Sequence, residues 1–387
     1  MKIILYDPLY SEKGHYQRYS KYISELLCAS NKIDKVYYFT DKSELNWNLG
    51  SDKIQIIHNK SSRLEDIQTK FIQVKNARVK KLKLIATSFI HYCAVLKQLR
   101  NLKADKTIFL SQGQMSFWVP VLLFYQNYGV SVIILKWLYE NKGARYFLKK
   151  IFEQFLKKSD LTFFTEKMYQ ENTKHLKLSK SFVLADRFLS TPNLGKAVAK
   201  TTPPNKKIKL LTLGTISSNK NPINFLKQFK ELEKNVQDRF EYMICGRIVE
   251  ENLEELWDLS NEMESVILKD MYIEQELYAR LMSEADIIVI PYSGDYLKYA
   301  TSGVMWDCFE KSKLILCPEH ELFSYYVNRY EIGFTYNQNN FKMVLEEIKN
   351  GMPDKTKKTI TNFDMIQNDF SFDNQISILE DNLTISE

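Results

Sequence analysis

What this chain has little of narrows the field first. Its 387 residues hold five cysteines, Cys28, Cys93, Cys245, Cys308 and Cys317, odd in number, scattered and never in a Cys-x-x-Cys pair. That pattern excludes a disulfide framework and a cysteine zinc site, and it fits reduced, mostly buried thiols in a cytoplasmic protein. The opening "MKIILYDPLY" reads as a strand and a turn, without the charged and apolar regions of a signal peptide. The longest apolar stretch, residues 117–125, falls far short of a membrane span. No solenoid-length repeat and no low-complexity run occurs. Neither a P-loop nor a Gly-x-Gly-x-x-Gly fingerprint is present.

What is there is a globular composition, 44% apolar and 26% charged, on a chain longer than one hydrophobic core usually organises. Two domains are expected. The net charge of +7 conceals an asymmetry: residues 1–189 hold 32 Lys/Arg against 16 Asp/Glu, or +16, and residues 190–387 hold 22 against 31, or −9. Such a split supports a domain boundary and gives the first half a positive field.

The first half alternates strand-like segments (2–6, 36–40, 53–57, 106–111, 130–136, 161–165, 182–185) with helical ones (16–28, 64–101, 117–128, 144–158, 167–175). Alternation of this kind predicts a mostly parallel sheet covered by helices. Residues 190–207, "STPNLGKAVAKTTPPNKK", then break every period with prolines and a glycine and read as a linker. A second alternation follows, with strands at 208–213, 241–245, 266–268, 287–290 and 314–317. Helices are expected there at 225–232, 253–262, 274–283, 303–310 and 341–350. Two Rossmann-like domains result, and ligands in such folds lie beyond the carboxyl ends of the strands.

The densest signal is at residues 286–319, where an apolar strand ends at Pro291, a polar loop follows, and a helix opens at Thr301-Ser302-Gly303. A helix N-terminus presents unpaired amides and a positive dipole end, which suits a phosphate; simple N-capping by Ser or Thr is the alternative. Asp307, four residues after Gly303, shares that helix face. Its carboxylate either accepts ribose hydroxyls or pairs with a lysine.

Upstream, "LLTLGTISSNK" (210–220) is a buried strand, a glycine, a polar loop and a lysine. Gly214 permits close approach of an anion to backbone and Lys220 can neutralise it, unless the segment is an ordinary strand-to-helix turn. "EYMICGRIVE" (241–250) repeats the design, leaving Arg247 either at the same cleft or on the surface. In the first half, Gly14 and His15 follow the first strand, where His15 is a substrate ligand, a proton carrier or a solvated loop residue. Gln112, Gln114, Glu140 and Asn141 follow later strands. Glu140 is the candidate carboxylate, as base or as ligand of an acceptor hydroxyl, with a surface salt bridge as the other reading. The basic, apolar-interleaved segments 71–100 and 144–158 fit an anionic bilayer surface, or else a core-facing stripe with a solvated basic face. No nucleic-acid-binding motif accompanies the charge.

These segments together resemble the GT-B glycosyltransferases, especially the large retaining group called glycosyltransferase family four, over nearly the whole chain and most heavily across 208–335. The resemblance implies an α/β GT-B fold, two Rossmann-like domains facing across a cleft. Residues 1–189 would bind the acceptor and 208–387 the nucleotide sugar, with the C-terminal segment able to pack back on the first domain. It further implies that Gly214 and Lys220 grip the donor diphosphate, with Arg247 a substitute for the arginine the family often has where Thr215 stands. Thr301, Ser302 and Gly303 become amide and hydroxyl donors to phosphate. Asp307 matches the family's ribose-binding carboxylate, while the first glutamate of its Glu-x7-Glu motif falls at Tyr299. Gly14 resembles the glycine beside the donor phosphates, and Glu140 falls near the acceptor-side histidine.

The implied activity is metal-independent hexosyl transfer, without a cofactor beyond the nucleoside-diphosphate sugar, to a glycan or polyprenyl-linked acceptor in bacterial surface polysaccharide synthesis. The expected place is cytoplasmic, peripheral at the inner face of the membrane, with no nucleic-acid partner. Two alternatives stay open. One is a non-catalytic GT-B-like partner of another transferase. The other is a nucleotide-sugar 2-epimerase, which needs more cleft carboxylates and histidines than five scattered His supply.

Overall fold

A computed structural model describes residues 1–7, 15–40, 50–59, 77–110, 120, 129–134, 160–163, 170, 180–185, 187, 189, 206–217, 220, 222–249, 253–292, 302–319 and 322–383. The chain divides into two compact units. One comprises Met1–Phe188 with Phe372–Glu387, the other Leu189–Ser371. The C-terminal segment thus groups with the first unit, and most of the expected linker lies outside the described residues.

The first unit is built on a seven-stranded, all-parallel sheet: β1 (Lys2–Asp7), β2 (Lys35–Thr40), β3 (Ile54–His58), β4 (Lys106–Phe109), β5 (Gly129–Ile134), β6 (Asp160–Phe163) and β7 (Lys180–Val183). Its order is β3-β2-β1-β4-β5-β6-β7. Continuous apolar runs make central strands buried on both faces, and Ile3, Ile4, Leu5 and Tyr6 of β1 are almost wholly enclosed. Helix α1 (His15–Ala29) packs Tyr22, Ile23, Leu26 and Leu27 inward. Helix α2 (Ala77–Asn101) buries Ser88, His91, Tyr92, Val95, Leu96 and Leu99 and exposes Lys83, Lys97 and Arg100, with Ile90 66% exposed. Over its described side chains, α2 therefore has a core-facing stripe and a solvated basic face. The expected helices at 117–128, 144–158 and 167–175 fall almost wholly outside the described residues.

The second unit carries β8 (Ile208–Leu213), β9 (Phe240–Gly246), β10 (Val266–Asp270), β11 (Ile287–Val289), β12 (Leu314–Pro318) and β13 (Gly333–Tyr336), all parallel. The order is β10-β9-β8-β11-β12-β13. Interleaved with them run α3 (Ile223–Lys230), α4 (Lys234–Gln237), α5 (Leu253–Asn261), α6 (Gln275–Glu284), α7 (Gly303–Glu310), α8 (Phe323–Tyr330) and α9 (Phe341–Asp369). The core joins Ile208, Leu210, Phe225, Phe229, Tyr242, Ile244, Val289, Leu316 and Phe341, among others. Phe225 alone meets the rings of Phe229, Tyr242, Tyr336 and Phe341 at centroid distances of 5.0–6.0 Å. Cys245, Cys308 and Cys317 are buried free thiols.

Four elements of the second unit depart from the sequence expectation, the unforeseen short α4 among them, and so does the helix that follows that unit. Helix α8 and strand β13 went unpredicted because the usual glycine stop is missing: α8 ends on Glu331, a non-glycine residue at φ 50°. Helix α9 does not stop at residue 350. It runs through Gly351 and Pro353 to Asp369, because Phe363 and Ile366 continue its buried face past those breakers. The last helix, α10 (Phe372–Asn382), closes onto the first unit. There Gln375 Oε1 accepts the Ala185 N–H at 2.8 Å, and Glu380 accepts from Ser30 Oγ at 2.8 Å and the Asn31 N–H at 2.6 Å.

At the carboxyl ends of β8 and β9 two backbones nearly touch. A Cβ on Gly246 would lie 1.8 Å from the Gly214 carbonyl oxygen. Gly246→Ala is therefore expected to cost about 1–3 kcal/mol by overpacking against backbone that cannot yield. Gly351→Ala, in a helix with open space around it, should stabilise by up to about 1 kcal/mol. Urea midpoints for the two variants should move in opposite directions.

Candidate functional site

In a doubly wound sheet the strand order reverses where the first strand meets the fourth, and the loops leaving those strands diverge to open a crevice. In the second unit that point lies between β8 and β11. Leu213 hands the chain to Gly214 at φ +103°, a backbone state that side chains other than glycine resist. The loop is then stitched to its neighbour. Ile216 N–H donates to the Arg247 carbonyl and Val249 N–H donates back to the Ile216 carbonyl, each at 2.9 Å. Asp270 completes the stitching by accepting the Ile248 N–H at 2.9 Å.

Lys220 closes this loop just before α3. Its amide donates to the Ser217 carbonyl at 2.8 Å, and its side chain is half-buried. Burial pushes its pKa down from the usual lysine value. Its ammonium stands 5.2 Å from the ring centroid of Tyr292, the residue two beyond Ile290 at the end of the β11 run. Tyr292 is 3% exposed and meets Phe323 edge-on at 5.4 Å. Its hydroxyl accepts from Ser302 Oγ at 3.3 Å. Burial pushes that phenol up to about 12, against the lowering effect of the Ser302 bond, so it stays neutral.

Ser302 occupies the N-cap position of α7 in an extended conformation, yet its side chain makes no capping bond and reaches Tyr292 instead. The first helix-type bond runs from the Trp306 N–H to the Ser302 carbonyl at 3.2 Å, so the amides of Gly303, Val304 and Met305 precede the ladder. One turn in, Asp307 Oδ2 accepts the Tyr278 hydroxyl from α6 at 2.6 Å. Burial, then the Asp307 charge, pushes the Tyr278 phenol far above its ordinary range, so it is a committed donor.

The structure thus brings Gly214, Lys220, Ser302, Gly303 and Asp307 to the carboxyl ends of β8 and β11. Arg247 follows β9 with an exposed side chain. Gly14, Glu140, Thr301 and Tyr299 lie outside the described residues, and of His15 only its backbone, opening α1, is described. Sequence reasoning missed Tyr292 and Tyr278, which tie the charged residues together. Their signal was an aromatic placed directly after a strand and another on the helix ahead of it. Tyr272, just past the edge strand β10, is 75% exposed. Among the described residues no three His, Cys, Asp or Glu gather to hold a metal ion, and no helix is long and apolar enough to cross a membrane.

Two parallel sheets of this order, with helices between their strands, give the chain an α/β GT-B fold. Solved glycosyltransferase structures share it along their whole length. A trehalose-6-phosphate protein from E. coli bound with UDP-2-fluoro glucose matches with TM-score 0.67 and 10% identity, over 99% of each chain. WaaG, a glycosyltransferase involved in lipopolysaccharide biosynthesis, matches at 0.62 and 13%, over 99% of this chain and 100% of its own. Sucrose-phosphate synthase from Thermosynechococcus elongatus matches at 0.63 and 11%, over 98% and 97%. No protein-family profile and no curated protein matches the sequence.

Tyr278→Phe deletes the neutral donor to a half-buried carboxylate. It should lower stability by about 1.5–3 kcal/mol, the usual range for a hydrogen bond to a charged group, read from chemical denaturation.

Proposed function

We propose that this protein is a glycosyltransferase that moves a hexosyl group from a nucleoside-diphosphate sugar to a glycan or polyprenyl-linked acceptor in bacterial surface polysaccharide synthesis. The observation that carries the proposal is the convergence of Gly214, Lys220, Ser302 and Gly303 on the crevice end of β8 and β11. The UDP-sugar bound to one structural neighbour and the lipopolysaccharide role of another support it.

In this reading Lys220, the Gly214 backbone and the first amides of α7, with Thr301 beside them, hold the diphosphate. Arg247 supplies a second cation, and Asp307 accepts from the ribose. Tyr272 offers an exposed ring to the base. Departure of the diphosphate needs stabilisation of developing negative charge, which a lysine and a helix dipole provide without a metal or cofactor. Gly14 stands beside the phosphates, and His15 and Glu140 serve the acceptor, Glu140 as base or hydroxyl ligand. The +16 first half and the solvated basic face of α2 suit an anionic, membrane-attached acceptor at the inner face of the membrane.

Two measurements test this. Purified protein should hydrolyse or transfer from one of a panel of UDP-, GDP- and dTDP-sugars. Lys220→Ala should weaken nucleoside-diphosphate binding about tenfold or more, as loss of a charge-assisted hydrogen bond does. Unchanged binding would remove Lys220 from the site, and nucleotide binding with no turnover would favour the non-catalytic partner. Separately, the protein should sediment with anionic liposomes at low salt and release at high salt. Indifference to such vesicles, with glycosylation of soluble acceptors only, would refute the membrane-attached acceptor.

A further inference from the structure

Lys220 is a half-buried cation with an unusual environment. Among the described residues no carboxylate pairs with its ammonium, and burial is what perturbs it. A lysine in that position ordinarily swings its flexible stem toward water. Here the ammonium instead faces the ring of Tyr292 at 5.2 Å from the centroid, within the cation–π range of about 6 Å. The ring is itself fixed from two sides, by the edge-to-face contact with Phe323 at 5.4 Å and by Ser302 Oγ at 3.3 Å from its hydroxyl. Because the phenol stays neutral, the attraction comes from the ring face and not from a phenolate. Asp307 and Cys308 are the other titratable groups acting on Tyr292.

We propose that Tyr292 is the positioning residue for Lys220: its clamped ring face holds the ammonium at the carboxyl ends of β8 and β11, ready for the diphosphate of a nucleotide. The proposal rests on the nucleotide-site reading above and adds to it the element that fixes the cation. Holding the side chain before the anion arrives removes rotamer freedom that would otherwise be lost on binding. It also partly offsets the desolvation of the ammonium, because the ring's negative face supplies what water no longer does.

The test varies the ring face without varying its shape. Inorganic diphosphate and UDP are titrated into the full chain with Tyr292→Phe, and with 4-fluorophenylalanine or 3,4,5-trifluorophenylalanine at the same position. Tyr292→Phe keeps the ring face and the Phe323 contact but gives up the 3.3 Å bond from Ser302, so it is the reference against which the fluorinated rings are read. Affinity should then fall stepwise with fluorination, reaching about tenfold for the trifluoro ring. The residual binding of the same series in a Lys220→Ala background should be flat. Equal affinity across the series in the native background would overturn the proposal and leave the nucleotide reading standing. A decline of the same size with and without Lys220 would also overturn it, since the ring would then act on something other than the lysine. Failure of the native chain to bind either anion would overturn the nucleotide reading and this proposal together.

Discussion

The carboxyl end of β9 can lie against that of β8 only because residue 246 has no side chain. The Gly214 carbonyl occupies the space a Cβ would need, so the two strand ends stay in register past the point where a parallel ladder usually frays. Everything at the crevice side of the second unit inherits that register. The paired Ile216 and Ile248 backbones extend it into the loops, Asp270 fastens the far side, and residues 214–217 leave the sheet along a fixed line. A loop so held presents backbone and a lysine at little further entropic cost.

Asp307 and Lys220, both described at the crevice end of the sheet, are treated differently. Asp307 has a neutral partner, a half-buried phenol that the surroundings keep protonated and aimed at one carboxylate oxygen. Lys220 has, among the described residues, the face of an aromatic ring. A ring face orients a cation without cancelling its charge, so the potential around Lys220 stays positive in a partly dry setting where electrostatic attraction is stronger than in water. The lysine therefore keeps charge to offer an anion, while one oxygen of the aspartate is already engaged by a donor.

Much of this was legible in the sequence, and the reasons for the rest are physical. Strands such as 208–213 and 314–317 announce themselves by short, continuous apolar runs bounded by turn residues, and their alternation with helices leaves few topologies for a parallel sheet. Gly214, Lys220 and Ser302 could be picked out because glycine, lysine and serine at strand and helix ends have few jobs. The partners could not. Tyr278 and Tyr292 meet Asp307 and Lys220 across 29 and 72 positions of chain, and an aromatic after a strand is as often core as ligand until its neighbours are known. Glu331 hid α8 and β13 for a different reason: a left-handed helix stop on a glutamate carries no compositional mark. At Pro353 the local breaker signal was real, but the buried face beyond it outweighed it.

Chain order and fold order differ at the C-terminus, where Gln375 and Glu380 complete a unit whose first segment ended nearly two hundred residues earlier, at Phe188. The second unit is consequently an insert, and its entry and exit are already adjacent, since the Leu189 N–H donates to the Phe370 carbonyl at 2.9 Å and Leu189 bridges to Ser371. Synthesis from the N-terminus therefore completes the later unit first. The earlier one must wait, unsealed, until Phe372–Glu387 emerges, which places its closure after the whole of the second unit has been synthesised.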